Sequence, residues 1–351
     1  MSSPSIPWSP LNDGTSNITN WEEHVHPELK PTLADYGPPT SYDSWLKTRI
    51  MSVLMHIPSS ISHDVGMKKI KGVGQYFYPT SDENDGQAPN TSCAAILWMH
   101  GGGFIMGSAN GCFNELCSRI VQIFGVPVLS AEYATRNCFP APLNDCHKAY
   151  TWLAQHLMDD PEANGKTPKI AVMGDSAGGG LAAELCQRLL DESKEEQQDG
   201  ATSSLKRLPL PVCQLLTYPM LDDRTCINES LCKMPPHLVW NNKSNMYGWQ
   251  SYLGRKYKPG DKNIPKYAAA SRREDLSGLP PCYIVVGDLD LFHDECTVYA
   301  RRLKDAGVET EFDEIKGGFH AMMSSGKIEQ PKPVADAWER CQAFGKKFLF
   351  D

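Results

Sequence analysis

From residue 93 onward, short apolar runs alternate with longer stretches of helix-forming residues. Cys93-Ala94-Ala95-Ile96-Leu97-Trp98-Met99 and Ile170-Ala171-Val172-Met173 are apolar throughout. Such short unbroken runs read as strands covered on both faces. The pattern predicts strands at 93–99, 126–131, 169–173, 212–217, 282–286 and 309–314. It predicts helices at 113–124, 144–157, 177–191, 244–253, 293–306 and 333–348. This alternation implies an α/β fold: a parallel sheet with helices on both faces. Upstream, a strand is expected over 67–78, ending at Pro79, and two short helices at 26–36 and 41–56, broken by Pro38-Pro39. Residues 1 to about 20 are rich in Ser, Pro and Asn and read as poorly ordered; 80–92 reads as a polar loop. Two stretches interrupt the rhythm. Residues 192–207 are charged and read as a solvated loop, and residues 218–281 form a long insertion without a clear strand. An insertion at the ligand-binding end of such a sheet is expected to be a lid or cap.

Composition narrows the class. A chain of 351 residues with 41% hydrophobic content suits one large α/β domain with an added cap. The net charge of −8, with no basic cluster, argues against nucleic acid and anionic membranes as partners. No run approaches the roughly 20 apolar residues of a membrane span. The first ten residues lack the apolar core of a signal peptide. Twelve cysteines are present, none in a C-x-x-C pair. They read as reduced thiols of a cytoplasmic protein rather than as a disulfide framework or a metal site.

Two motifs carry the chemistry. Residues 174–178 read Gly-Asp-Ser-Ala-Gly, and residues 100–103 read His-Gly-Gly-Gly. G-x-S-x-G alone arises by chance in roughly one chain in ten of this length, so its context decides. An apolar strand precedes Gly174 and a run of helix formers follows Ser176, as a nucleophile elbow requires. The His-Gly-Gly-Gly also follows an apolar strand, the setting of a loop that supplies oxyanion-hole amides. Ser176 is therefore the candidate nucleophile. The N–H groups of Gly102, Gly103 and Ala177 are the candidate donors to a developing oxyanion. His100 is expected to shape its loop rather than act as a base.

A serine needs a base, and the base an orienting acid. In α/β-hydrolases these follow the serine in the order acid, then histidine. His320 lies in the Gly-rich loop Lys316-Gly317-Gly318-Phe319-His320, after the last predicted strand. It is preferred to His293, which reads as a surface residue at a helix start. The acid must follow the strand at 282–286. Asp294 with Glu295 fits a first helical turn. Asp288 and Asp290 remain equivalent on these grounds.

The motifs His100-Gly101-Gly102-Gly103-Phe104, Gly174-Asp175-Ser176-Ala177-Gly178-Gly179, Tyr218-Pro219, Asp290 ahead of Asp294-Glu295, and Gly318-Phe319-His320 resemble the hormone-sensitive-lipase-like family of α/β-hydrolases. The resemblance spans roughly residues 26–350. It implies Asp290 as the acid, four residues before the Asp-Glu pair, completing Ser176, Asp290 and His320. It implies an α/β-hydrolase domain over 61–351, with cap contributions from 1–60 and 218–255. It implies hydrolysis of short- to medium-chain acyl esters through an acyl-enzyme, without a cofactor. The partner is then a small-molecule ester, with a homodimer as the assembly kept open. Phe104, Trp240, Tyr247 and Trp249 are expected to line the substrate pocket. The same residues would serve a lactone or aryl-amide hydrolase, or an acyltransferase. A small-molecule receptor on this fold would lack the histidine that is present here as His320. Two departures bear on the pocket. Glu132-Tyr133-Ala134-Thr135-Arg136-Asn137-Cys138-Phe139-Pro140 replaces the family's usual segment, with its bracing arginine displaced or lost, and Gly180 stands where a polar residue is usual.

Overall fold

A computed structural model describes residues 20–37, 40–80, 93–198, 207–233, 236–325 and 329–350. The expectations for residues 1–19, for Pro38-Pro39, and for most of the 80–92 loop lie outside the described residues.

The apolar runs become the central strands. These are β1 (Val65–Ile70), β2 (Gly74–Pro79), β3 (Ala94–Met99), β4 (Val128–Ala131), β5 (Lys169–Asp175), β6 (Cys213–Thr217), β7 (Cys282–Gly287) and β8 (Thr310–Ile315). They form one sheet in the order β1-β2-β4-β3-β5-β6-β7-β8. From β4 to β8 all neighbours are parallel; β1 and β2 form an antiparallel hairpin, and β2 runs antiparallel to β4. Every residue of β3, β4, β6 and β7 is buried, which accounts for their lack of polar alternation. The single strand expected over 67–78 is instead the β1–β2 hairpin. Lys71, Gly72 and Val73 make the turn, with Gly72 at φ 69°.

Helices α1 (Lys30–Tyr36) and α2 (Trp45–Met55) precede the sheet. Then come α3 (Asn114–Phe124), α4 (Ala141–Met158), α5 (Ala177–Gln198), α6 (Glu229–Lys233), α7 (Asn242–Leu253), α8 (His293–Asp305) and α9 (Lys332–Phe350). Part of the stretch read as a solvated loop at 192–207 belongs to α5, which continues to Gln198. Straight-chain charged residues favour a helix as well as solvent, and Arg188 pairs with Glu192 at 2.8 Å one turn on. The remainder of that stretch, 199–206, lies outside the described residues.

The N-terminal helices and the insertion meet. The Tyr42 N–H donates to Ser244 Oγ at 2.8 Å, and Asn241 Nδ2 donates to Thr40 O at 3.3 Å. Tyr36 Oη donates to Ala321 O at 2.8 Å, beside His320. Glu295, in the first turn of α8, draws the start of the insertion inward. Its carboxylate accepts the Leu221 N–H at 2.6 Å and the Thr225 hydroxyl. On its outer side, α2 leaves Trp45, Leu46, Ile50 and Val53 more than half exposed.

Candidate active site

Strand β5 turns into α5 at Ser176, whose φ of 55° is the left-handed backbone that raises its side chain above the sheet edge. Gly178 permits the turn: a Cβ there would stand 2.1 Å from Met99 O. The Ser176 N–H is anchored to Thr217 O at 2.9 Å. His320 follows β8 on its Gly-rich loop, and Asp290 follows β7. His320 Nε2 lies 3.0 Å from Ser176 Oγ, and His320 Nδ1 lies 2.9 Å from Asp290 Oδ2. Residues 144 and 30 positions apart in the chain thus form one hydrogen-bonded line. All three are buried: Ser176 is 5% exposed, and His320 and Asp290 are 4% exposed.

The second Asp290 oxygen accepts the Phe292 N–H at 2.9 Å. Asp288 is turned elsewhere. It accepts the Gly317 N–H at 2.7 Å and faces Lys316 Nζ at 3.7 Å. The His320 ring is packed by Tyr218 at 4.9 Å and by the edge of Phe292 at 5.2 Å.

The His100–Phe104 loop crosses beside the elbow. Gly102 and Gly103 have φ of 122° and 59°. Among the described residues, no acceptor meets the N–H of Gly102, Gly103 or Ala177. His100 is sandwiched by Tyr133 at 4.1 Å and Phe113 at 5.7 Å, with Nδ1 2.7 Å from Gly101 O. Burial holds its imidazole down at about 4, so it is neutral at pH 7 and its Nδ1–H donates to the carbonyl. Tyr133 Oη donates to His100 O at 2.6 Å and fixes the loop from the other side. Arg136, within the altered segment, also braces it. Nε donates to Ile105 O at 3.1 Å and a terminal nitrogen to Thr48 Oγ1 at 3.1 Å. An arginine therefore still performs a bracing role there. Gly180 is explained by packing, since a Cβ would stand 2.2 Å from Met220 O.

The four aromatics expected to line a pocket separate. Trp240 lies on the oxyanion-type loop, its outermost ring carbon 2.1 Å from where a Gly103 Cβ would be. Phe104 and Trp249 are fully buried, packed with each other at 5.4 Å, and Phe104 stacks on Tyr252 at 4.0 Å. Tyr247 is not at the Ser176 site. It lines a cavity of about 440 Å³ with His237, Asn241 and Gln250, whose lining does not include Ser176, Asp290 or His320. Helical period is the reason: 244, 245, 248, 249 and 252 form the buried face of α7, and 247 lies off it.

His293 departs from its reading as a surface residue. It is buried, with Nε2 2.6 Å from Glu314 Oε2 and Nδ1 3.3 Å from Asp294 Oδ1. Burial opposes its charge, but hydrogen bonds to Asp294 and Glu314 outweigh that and raise it to about 9. Sequence reading also missed Glu295, Arg136 and Tyr42, whose partners all lie on distant elements.

A serine on a strand–turn–helix elbow, with an Asp and a His on loops at the same end of a parallel sheet, defines an α/β-hydrolase-type site. A family model described as the alpha/beta hydrolase fold matches residues 96–324. The chain therefore belongs to the α/β-hydrolase-fold family, in its hormone-sensitive-lipase-like branch. It is 29% identical over 269 residues to Lipase 2 of Moraxella sp. (strain TA144), covering 72% of this chain and 60% of that one. It is 29% identical over 243 residues to an ethyl acetate hydrolase of Pseudomonas putida, covering 68% and 69%. The match thus spans about 60% of the length of the Moraxella lipase. Among solved structures, a bacterial heroin esterase superposes with a TM-score of 0.72 at 26% identity, over 95% of this chain and 100% of that one. Among the described residues, no helix is long and apolar enough to cross a membrane.

Proposed function

We propose that the protein is a serine carboxylesterase that hydrolyses small acyl esters through an acyl-enzyme. The observation that carries this reading is the Ser176–His320–Asp290 line, at 3.0 and 2.9 Å, beside three backbone amides that meet no acceptor among the described residues. The relatives named for lipase, ethyl acetate hydrolase and esterase activity support the same class of reaction. In this mechanism Ser176 Oγ attacks the ester carbonyl while His320 Nε2 takes its proton. Asp290 keeps the Nδ1–H tautomer and stabilises the imidazolium. The Gly102, Gly103 and Ala177 amides receive the oxyanion. His320 then protonates the leaving alcohol, and a water deprotonated by His320 frees the acid. The domain reading goes with it: 61–351 supplies the chemistry, with cap contributions from 1–60 and 218–255, of which 1–19, 38–39 and 234–235 lie outside the described residues.

The test is turnover of p-nitrophenyl acetate. Ser176→Ala should lower kcat/KM on the order of 10⁴-fold or more at unchanged fold. Full turnover by the variant would remove Ser176 from the mechanism.

A further inference from the structure

The three candidate oxyanion donors come from two different elements. Ala177 opens α5, whereas Gly102 and Gly103 belong to the loop after β3. Such donors stabilise an oxyanion only when they are held in place before it forms, so the loop has to be fixed against α5. Phe104, next after Gly103, marks where. It is fully buried with φ 63°, a backbone that an aromatic residue keeps only where its surroundings hold it. Its ring lies on that of Tyr252 in α7, 4.0 Å apart with 10° between the planes. Helix α7 also reaches the loop backbone, since a Cβ on Gly248 would stand 2.6 Å from Gly103 O.

Tyr252 is itself tied to α5. Its hydroxyl donates to Glu184 Oε2 at 2.5 Å. Glu184 stands one turn after Gly180 on the same face of α5, and a Cβ on Gly180 would be in ordinary contact with the tip of the Phe104 ring, at 3.8 Å. Glu184 is 0% exposed, and its second oxygen meets no partner among the described residues. Nor does a cation there pair with it. A lone buried charge is costly, and burial pushes this carboxyl well above the usual range, toward its neutral form. The proton transfers of ester hydrolysis give it no step: its hydrogen bond runs to Tyr252 and not to Ser176, His320 or Asp290. A costly group in that place calls for another role.

We propose that Glu184 is a positioning residue for the oxyanion site, acting through Tyr252 and Phe104 to hold the Gly102 and Gly103 amides in register with that of Ala177. The clasp runs from α5 through the insertion to the loop. Glu184 fixes the Tyr252 hydroxyl, the Tyr252 ring fixes Phe104, and Phe104 fixes the backbone just before it. The inference rests on the esterase reading and gives α7 of the insertion a part in the chemistry. The role requires only a side chain that accepts the Tyr252 proton, so glutamine should serve it and alanine should not.

The experiment compares the full-length wild type with Glu184→Gln, Glu184→Ala and Tyr252→Phe. Two quantities are read: kcat/KM on p-nitrophenyl acetate, and the Ki of a trifluoromethyl ketone, which adds to an activated serine as an oxyanion. Removing one oxyanion donor costs on the order of 10²–10³-fold. Tyr252→Phe and Glu184→Ala misplace donors without removing them, so each should lose about tenfold in kcat/KM and weaken Ki by the same factor. Glu184→Gln should stay within about threefold of wild type in both, because its amide oxygen keeps the acceptor. A merely structural part would lower the melting temperature and leave the Ki of the folded enzyme unchanged. That result in Tyr252→Phe would overturn the proposal, as would a Glu184→Gln as impaired as Tyr252→Phe. If Glu184→Ala does not fold, Tyr252→Phe, which keeps the ring, carries the comparison with Glu184→Gln. Failure of the esterase reading looks different: wild type hydrolyses no ester and a fluorophosphonate leaves Ser176 unlabelled.

Discussion

At the scale of residues, two carboxylates two positions apart have different work. Asp290 meets His320 Nδ1 at 2.9 Å, whereas Asp288 holds the Gly317 N–H at 2.7 Å. Both follow β7, so physical reading of the chain left them equivalent and only the family resemblance chose between them. The difference lies in the turn after the strand, where the Asp290 N–H bonds Gly287 O and the Asp288 N–H bonds Ile315 O. Asp290→Asn should lower kcat on p-nitrophenyl acetate on the order of 10⁴-fold, because an amide favours the wrong histidine tautomer. Asp288→Asn should cost far less, since its carboxylate touches the His320 loop and not the ring. Equal losses for the two variants would contradict this division. Ser176, Gly102 and Gly103 were legible as candidates because the backbone turn itself demands glycines at fixed offsets. Trp240 was legible as an aromatic of the insertion, but not its seat on Gly103, where two distant segments meet.

At the scale of elements, the parallel core was readable because strands buried on both faces must be apolar throughout. The hairpin β1–β2 was not: β1 carries Lys68 and Lys69 on an edge strand, and its apolar signal merges with that of β2. The joint between α8 and β8 was likewise hidden, since His293 finds Glu314 21 residues away on the next strand. That joint has a pH signature. The folded His293 is raised from 6.5 to about 9, so its contribution to stability is complete below pH 6.5 and lost as pH rises through 9. Linkage makes this up to about 3 kcal/mol across that window. Chemical denaturation from pH 6 to 10 should show the loss in wild type and a flatter profile in His293→Gln. Identical profiles would show that the pair does not hold the joint.

At the scale of the whole molecule, one end of the sheet gathers what the chain keeps far apart. The elbow after β5, the Asp loop after β7, the His loop after β8 and the His100–Phe104 loop after β3 all open at the carboxyl ends of their strands, where α/β sheets bind ligands. Segments from the N-terminus reach the His320 loop and the insertion, through Tyr36 to Ala321 and Tyr42 to Ser244. The alternation of strand and helix made this end predictable. How these segments fit together was not predictable, because their contacts join residues about 200 or more positions apart. The central claim is that this end holds one activated serine. Its most direct test is reaction of the intact protein with a fluorophosphonate, followed by peptide mass mapping. A single adduct on Ser176, absent from Ser176→Ala and formed far more slowly by His320→Ala, is the expected result. An adduct on another residue, or ester hydrolysis that continues with Ser176 unmodified, would contradict it.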